Sequence, residues 1–474
     1  MYLSTLFTRL WAFLVSSAFF ITMGQSDRPN IVLVLADDFG HGSVGAYGAD
    51  PSMVRTPNLD QLAREGMRFE NAYTTGSVCS PTRYALLTGE YSWRTSLKAG
   101  VINLTTPLLI APGKETIASW LKERGYQTSH FGKWHLGYGR KKWKVFFDAV
   151  GVGPNEVGFD YHFGVPNNMD DPHKVYVEND SIYGLRSKRL SPYGKSYYGR
   201  QYIGYDAPQR NEPQVMETIT EKAIEWLDNR DADKPFFIYF ATVAVHHPIM
   251  PSDRMRGTSG VGAYGDFIHD LDFSVGQLMN ALKVRGLDEN TIIIFSSDNG
   301  GDIPGNRPES PESQAVALGF KPNGELRADK HTIYNGGFQV PMIVRWPGQV
   351  SEQTASNATV STVDVFPTLA ALLGEPLNED QMDGRSFSSV LKDTNSSYNR
   401  DDLALRDSKG RRALISGNFK YVDDRYPEGV KGPKREQELY DLSQDPSESN
   451  NVIASNPELA ERLKRRLDAI SRGD

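Results

Sequence analysis

The only cysteine in the 474 residues, Cys79, opens the run Cys79-Ser80-Pro81-Thr82-Arg83, which continues to Leu86-Leu87-Thr88-Gly89. With no second thiol it has no intrachain disulfide partner, so its role is chemical or a matter of packing. Pro81 has no amide proton to lose and suits the first turn of a helix, which puts Cys79 and Ser80 in the capping positions. The sulfur then lies beside unpaired backbone N–H groups at the positive end of the helix. Arg83 adds a fixed cation of fork geometry in the same turn. A lone cysteine is usually a small buried hydrophobe; the other reading of the arrangement is an anion site built around a reactive side chain.

Oxygen ligands occur in two further places. The apolar run Ile31 to Ala36 ends at Asp37-Asp38, and the run Asn290 to Phe295 leads through two serines to Asp298-Asn299. Carboxylates at the C-terminal ends of buried strands stand where open α/β sheets bind ligands. Acids that close repel one another, and a hard divalent cation relieves them. A turn with Asp38 as a helix cap is the plainer alternative for the first pair. Basic groups follow: Lys133 and His135, two apart and so on one side of an extended segment, and the pair His246-His247 beyond the strand Phe236 to Ala241. If that last segment stays extended, only one of the two histidines faces the site.

Cys79-x-Pro81-x-Arg83 followed by x4-Thr88-Gly89 resembles the signature of the type I sulfatases, relatives of alkaline phosphatase. Gly132-Lys133-Trp134-His135-Leu136-Gly137 is similar to a second motif of that family, and Leu326-Arg327-x-x-Lys330 to a third. The resemblance implies that Cys79 is oxidised by a maturation enzyme to Cα-formylglycine, whose hydrate is the nucleophile. It implies one calcium ion on Asp37, Asp38, Asp298, Asn299 and residue 79. Arg83 and Lys133 would hold the nucleophile, Lys330 and His246 would contact sulfate and the leaving oxygen, and His135 would act as base. The family histidine stands two residues before a proline, which selects His246 over His247. Asn168 falls where the family has a polar sulfate contact, often serine. Asn335 and Gln339 stand where glutamate and arginine are common, which implies altered substrate contacts.

These residues need an α/β frame: a large mixed sheet sandwiched between helices, alkaline-phosphatase-like, with a smaller C-terminal antiparallel sheet built from Ala413–Ile415, Phe419–Val422 and Glu438–Leu442 and closed by a helix over Pro457 to Ile470. Helices are expected over Thr56–Ala63, Glu115–Arg124, Pro213–Asn229, Tyr264–Leu282 and Asp364–Leu373. Residues 1–25, with Arg9 before the apolar run Leu10 to Met23, read as a secretory signal, with an uncleaved N-terminal anchor as the alternative. The catalytic domain spans 26–375 and the C-terminal subdomain 376–474. Residues 138–213, rich in Gly, Tyr and Asn, read as a long insertion over the site.

A net charge of −7 argues against nucleic acid or a membrane surface as partner. The expected protein is secreted or periplasmic and desulfates a sulfated polysaccharide or its oligosaccharides. A phosphatase or phosphonate monoester hydrolase of the same fold is one rival. An inactive carbohydrate-binding relative is the other.

Overall fold

The computed structural model describes residues 28–103, 105–139, 150–197, 199–375, 377, 382–394, 396, 398, 400–426 and 436–473. The signal expected at 1–25 and residue 376, at the expected domain boundary, lie outside these residues.

The first apolar run becomes β1 (Asn30–Ala36), and its alternate residues feed two different cores. Ile31, Leu33 and Leu35 join one hydrophobic cluster, while Val32, Val34 and Ala36 join the other. A strand apolar at every position is what a sheet covered on both faces requires. Eleven further strands precede the C-terminal part: β2 (Met67–Tyr73), β3 (Gln127–Lys133), β4 (Tyr161–Val165), β5 (Val177–Glu178), β6 (Ser181–Ile182), β7 (Ser187–Leu190), β8 (Tyr205–Asp206), β9 (Phe236–Ala241), β10 (Thr291–Ser297), β11 (Met342–Arg345) and β12 (Thr354–Ser361). All but β7 and β8, which pair with each other, form a ten-stranded sheet in the order β12-β2-β11-β10-β1-β9-β3-β4-β5-β6. Its centre, β10-β1-β9-β3-β4, is parallel, and antiparallel pairs flank it.

Helices cover both faces. On one lie α1 (Pro57–Arg64), α4 (Val215–Asn229) and α5 (Ala263–Val284); on the other lie α2 (Cys79–Thr88), α3 (Ile117–Glu123) and α8 (Val365–Leu372). Short helices α6 (Pro311–Ala317), α7 (Asn335–Phe338) and α9 (Ser388–Lys392) sit in the connections. The C-terminal sheet is antiparallel, β13 (Leu403–Arg406), β14 (Arg412–Ser416), β15 (Phe419–Val422) and β16 (Glu438–Asp441), with α10 (Pro457–Arg472) packed against it through Leu463 and Leu467. Its core also takes in Tyr73, Ala85 and Phe338 from the larger unit.

One expectation is corrected here. Residues 138–213 are not merely an insertion over the site, because β4 pairs with β3 in parallel and β5 and β6 extend the sheet from it. The strand Tyr161–Val165 was hidden among glycines and polar residues. Residues 140–149 and 198 lie outside the described residues.

Register brings the site together. Ala36 pairs with Ser297, so Asp37 and Asp298 emerge side by side, and Leu35 and Gly132 both pair with Ala241. Gly132 has φ +101°, and a Cβ there would sit 1.9 Å from Ala241 O. Only glycine lets β3 lie this close to β9 just before Lys133.

Candidate active site

Cys79 is the first residue of α2 rather than a cap. Val78, in an extended conformation, is the N-cap, so Pro81 falls at the third helical position. The first-turn placement stands, shifted by two residues, and Gly89 ends the helix at φ +70° with its N–H bonded to Ala85 O. Every residue of α2 is buried. The helix is therefore a rigid mount, set by packing on both sides.

Cys79 Sγ lies 3.6 Å from Asp37 Oδ1, 3.9 Å from Asp38 Oδ1 and 3.4 Å from Lys133 Nζ. Burial, with the charge of Asp298, pushes its thiol well above the ordinary range. As a cysteine it is a poor thiolate and a poor nucleophile. Ser80, which drew no role from sequence, ties the neighbourhood together: its hydroxyl donates to His135 O at 2.9 Å and accepts from Ile102 N–H at 3.1 Å.

Around the sulfur, charge is dense and paired. Lys133 Nζ donates to both oxygens of Asp37, at 2.9 and 2.7 Å, and Lys330 Nζ donates to Asp38 Oδ2 at 2.5 Å. Arg83 donates twice to Asp298 and once to Lys133 O. Asp38 has φ +56°, so the chain turns there and both carboxylates serve one site instead of opposite faces. Burial, together with the neighbouring acids and against the pull of Lys133, pushes Asp37 up to about 7. Asp298 is also buried, yet Arg83 and Lys133 outweigh that and hold its carboxyl below the usual range. Lys330 stays charged because Asp38 overrides its burial.

The donor set fits a hard cation. Ligand atoms of Asp37, Asp38, Cys79 and Asp298 all lie within 4.8 Å of one another. Asn299 donates from Nδ2 to Asp38 Oδ1 at 2.9 Å, while its Oδ1 is buried with no hydrogen-bond partner. An orphaned buried carbonyl oxygen beside three carboxylates suits calcium.

The histidines differ from expectation. His135 lies beyond the end of β3 at φ +56°, so it does not share an extended segment with Lys133. Its Nε2 is 3.0 Å from Ile102 O, an atom that only accepts, which leaves Nδ1 as the basic nitrogen; Nδ1 is buried and without a partner. Nor do His246 and His247 face opposite ways. After β9 the chain turns, held by Asp37 N–H on Ala244 O and Val245 N–H on Asp37 O, and the two rings lie 4.3 Å apart. Both reach the site: His246 Nε2 is 3.8 Å from Asp38 Oδ2, and a His247 nitrogen lies within 4.8 Å of both. Alternation fails because the backbone is not a strand there.

Asn335 and Gln339 are both tied into the protein's own hydrogen bonds. Asn335 is 1% exposed and accepts from Lys420 Nζ at 2.8 Å, and Gln339 donates to Glu70 O at 2.8 Å. Lys420 in turn pairs with Glu448, whose second oxygen accepts Asn335 N–H, so this polar knot pins the segment after Lys330 to the C-terminal sheet. Asn168 is half-buried, with a buried Oδ1 that has no hydrogen-bond partner. Sequence reasoning missed Asp302, Glu312 and Tyr197, all in contact with His247. Asp302 lies just beyond Asp298-Asn299 and was open to suspicion; the other two carried no signal.

Comparison with known proteins gives the family. Residues 29–375 match the sulfatase family, and residues 324–473 match the N-sulphoglucosamine sulphohydrolase C-terminal family. An N-acetylgalactosamine-6-O-sulfatase of Bacteroides thetaiotaomicron is 34% identical, over 94% of this chain and 94% of that one. Human arylsulfatase A is 32% identical over 92% of this chain and 86% of its own. A solved structure from work on glycosaminoglycan metabolism by Bacteroides thetaiotaomicron superposes with a TM-score of 0.84 at 33% identity, covering 94% of this chain and all (100%) of that one. With the alkaline-phosphatase-like sheet and the Cys79 cluster, these place the chain in the sulfatase family, as a sulfuric ester hydrolase.

Proposed function

We propose that the protein removes sulfate from a sulfated saccharide, using Cys79 matured to Cα-formylglycine and one calcium ion. The observation that carries the reading is the placement of Cys79 Sγ against Asp37, Asp38 and Lys133 at the buried head of α2. The names of the relatives support a saccharide as substrate, among them the N-acetylgalactosamine-6-O-sulfatase and a 25% identical structure solved with a neocarrahexaose.

Asp37, Asp38, Asp298, Asn299 and residue 79 would hold the calcium. Residue 79, once matured and hydrated, would supply a gem-diol nucleophile, and a calcium ion held there would supply Lewis-acid charge toward a sulfate oxygen. The remaining work falls to this chain's own side chains. Lys133 holds residue 79 directly, and Arg83 steadies it through Asp298 and Lys133 O. Lys330 binds sulfate oxygen from the far side of Asp38, with Asn168 as a further polar contact. His246 passes a proton from Nε2 to the leaving alkoxide, and His135 takes one at Nδ1 from the hydroxyl of residue 79. Water is excluded by the burial of all of these but Asn168.

Maturation requires a formylglycine-generating or anaerobic sulfatase-maturing enzyme, and secretion or periplasmic export follows from the signal read at 1–25. Among the described residues, no helix is long and apolar enough to cross a membrane. The test is co-expression with a maturation enzyme, mass analysis of the peptide spanning residue 79, and desulfation of defined sulfated saccharides. Aldehyde at residue 79, saccharide turnover and a dead Cys79→Ala are expected. Full activity in Cys79→Ala overturns the nucleophile. Faster hydrolysis of aryl phosphate than of aryl sulfate overturns the choice of ester.

A further inference from the structure

Four side chains outside the catalytic set close one side of the site. His247 turns Nδ1 toward Asp302 Oδ2 at 3.5 Å and Glu312 Oε1 at 3.8 Å, while remaining beside Asp38 and His246. Its ring stacks on Tyr197 with centroids 5.5 Å apart, and Tyr197 is 44% exposed. Asp302 and Glu312 are 8% and 1% exposed, and Glu312 Oε2 is buried without a hydrogen-bond partner. A buried acidic pair and an imidazole thus meet beside His246 and the exposed ring of Tyr197, over which the Arg307 guanidinium also lies, 5.5 Å from the ring centroid.

Ionised carboxylates accept hydrogen bonds and offer none, so they suit neutral hydroxyls. In a desolvated wall they also repel a second anion strongly, which is specificity by exclusion. An exposed aromatic ring suits the apolar face of a sugar. Asp302 keeps its charge, since the hydrogen bond with His247 and the charge of Lys330 outweigh its burial. Burial pushes Glu312 upward, which makes it the weaker repeller.

We propose that Asp302, Glu312 and His247, with Tyr197 as platform, read the sugar that carries the ester. The carboxylates accept from hydroxyls flanking the sulfated carbon and exclude a ring with a second sulfate there. The inference rests on the saccharide reading above and adds to it a monosulfated ring as the preferred substrate.

The test is competition against aryl sulfate hydrolysis by the matured enzyme, with N-acetylgalactosamine 6-sulfate and its 4,6-disulfate as competitors. Competition yields a constant whether the sugar is turned over or only bound. The monosulfate should bind about tenfold more tightly or better. Asp302→Asn should shrink that ratio about tenfold and Glu312→Gln less, while Tyr197→Ala should weaken both sugars alike. Each ratio is taken within one protein, so partial folding or maturation of a variant cancels. Equal constants in the wild type, or an unchanged ratio in both carboxylate variants, overturn the wall alone. No competition by either sugar, with aryl sulfate still hydrolysed, overturns the saccharide reading and the wall with it.

Discussion

Arg83 lays Nε and Nη2 against a single oxygen of Asp298, Oδ2, at 2.9 and 2.7 Å, with both side chains 0% exposed. The other oxygen of Asp298 accepts Asp38 N–H at 3.1 Å. One guanidinium therefore joins the head of α2 to the end of β10, and its Nη1 reaches Lys133 O at the end of β3. Removing one member of such a pair strands a buried charge, at a cost of about 3–5 kcal/mol. Arg83→Gln should lose that much in chemical denaturation. Arg83→Lys keeps the charge but not the fork, and should lose less stability yet most activity. A midpoint for Arg83→Gln within error of wild type would mean the pair does not hold the site.

The calcium assignment predicts a folding effect separable from turnover. A ligand that binds only the native state stabilises it by mass action, about 2.7 kcal/mol at a hundredfold excess over Kd. Chelation should lower the melting temperature, and added calcium should restore it. Asn299→Ala removes the orphaned Oδ1 and should bind calcium at least about tenfold more weakly. Metal analysis and melting with and without chelator check both; an unchanged calcium content in the variant sinks the ligand set.

How far the chain was legible follows from what each residue depends on. β1 is apolar from Ile31 to Ala36 and β10 from Ile292 to Phe295 because both faces are covered, and that pattern survives in one dimension. The acids after them were legible for the same reason, since a strand end fixes where its next residue goes. β4 was not, because its Gly164 and His162 answer to neighbours rather than to period: a Cβ at Gly164 would meet Gly132 O at 2.0 Å, and His162 bonds His130 at 2.8 Å. The face taken by His247 depended on a turn after β9 that no local propensity announces. Asn335 looked like a specificity residue until its partner, Lys420, arrived from 85 positions away.

Acid sensitivity has a local source in β3 and β4. His162 Nδ1 lies 2.8 Å from His130 Nδ1 and its Nε2 lies 3.0 Å from Tyr138 OH, all at 1% exposure or less. Burial lowers the His162 pKa to about 3 from an ordinary 6.5. The unfolded chain therefore takes up a proton below pH 6.5 that the folded chain refuses. Stability is full above that pH and falls as pH drops toward 3, by up to about 1.4 kcal/mol per pH unit for one such group. His162→Gln should lower stability at neutral pH by unmaking two hydrogen bonds, and should flatten the decline between pH 6 and 4. Urea midpoints across that range measure the slope; an equal slope in the variant would place the sensitivity elsewhere.

The two adjacent histidines divide the labour, and leaving-group chemistry separates them. His246 Nδ1 is 2.5 Å from His247 O, so Nδ1 carries the proton and Nε2 is the atom turned to the site. Burial, with Lys330 and Lys133, holds the imidazole well below its ordinary pKa, so it is neutral until an anion enters. A bound sulfate ester offsets those lysines, favours protonation, and so loads the acid only when there is something to protonate. An aryl leaving group needs little help, whereas a sugar alkoxide needs a proton. His246→Ala should therefore cost about 100-fold or more in kcat/KM on a sugar sulfate and under about tenfold on an activated aryl sulfate. His247 faces Asp302 and Glu312, so His247→Ala should act through sugar binding, raising KM for the saccharide without dependence on the leaving group. Kinetics of both variants on one aryl sulfate and one sugar sulfate decide it. If the leaving-group dependence follows His247 and spares His246, the proton comes from the carboxylate-backed histidine, and the roles of the two neighbours are reversed.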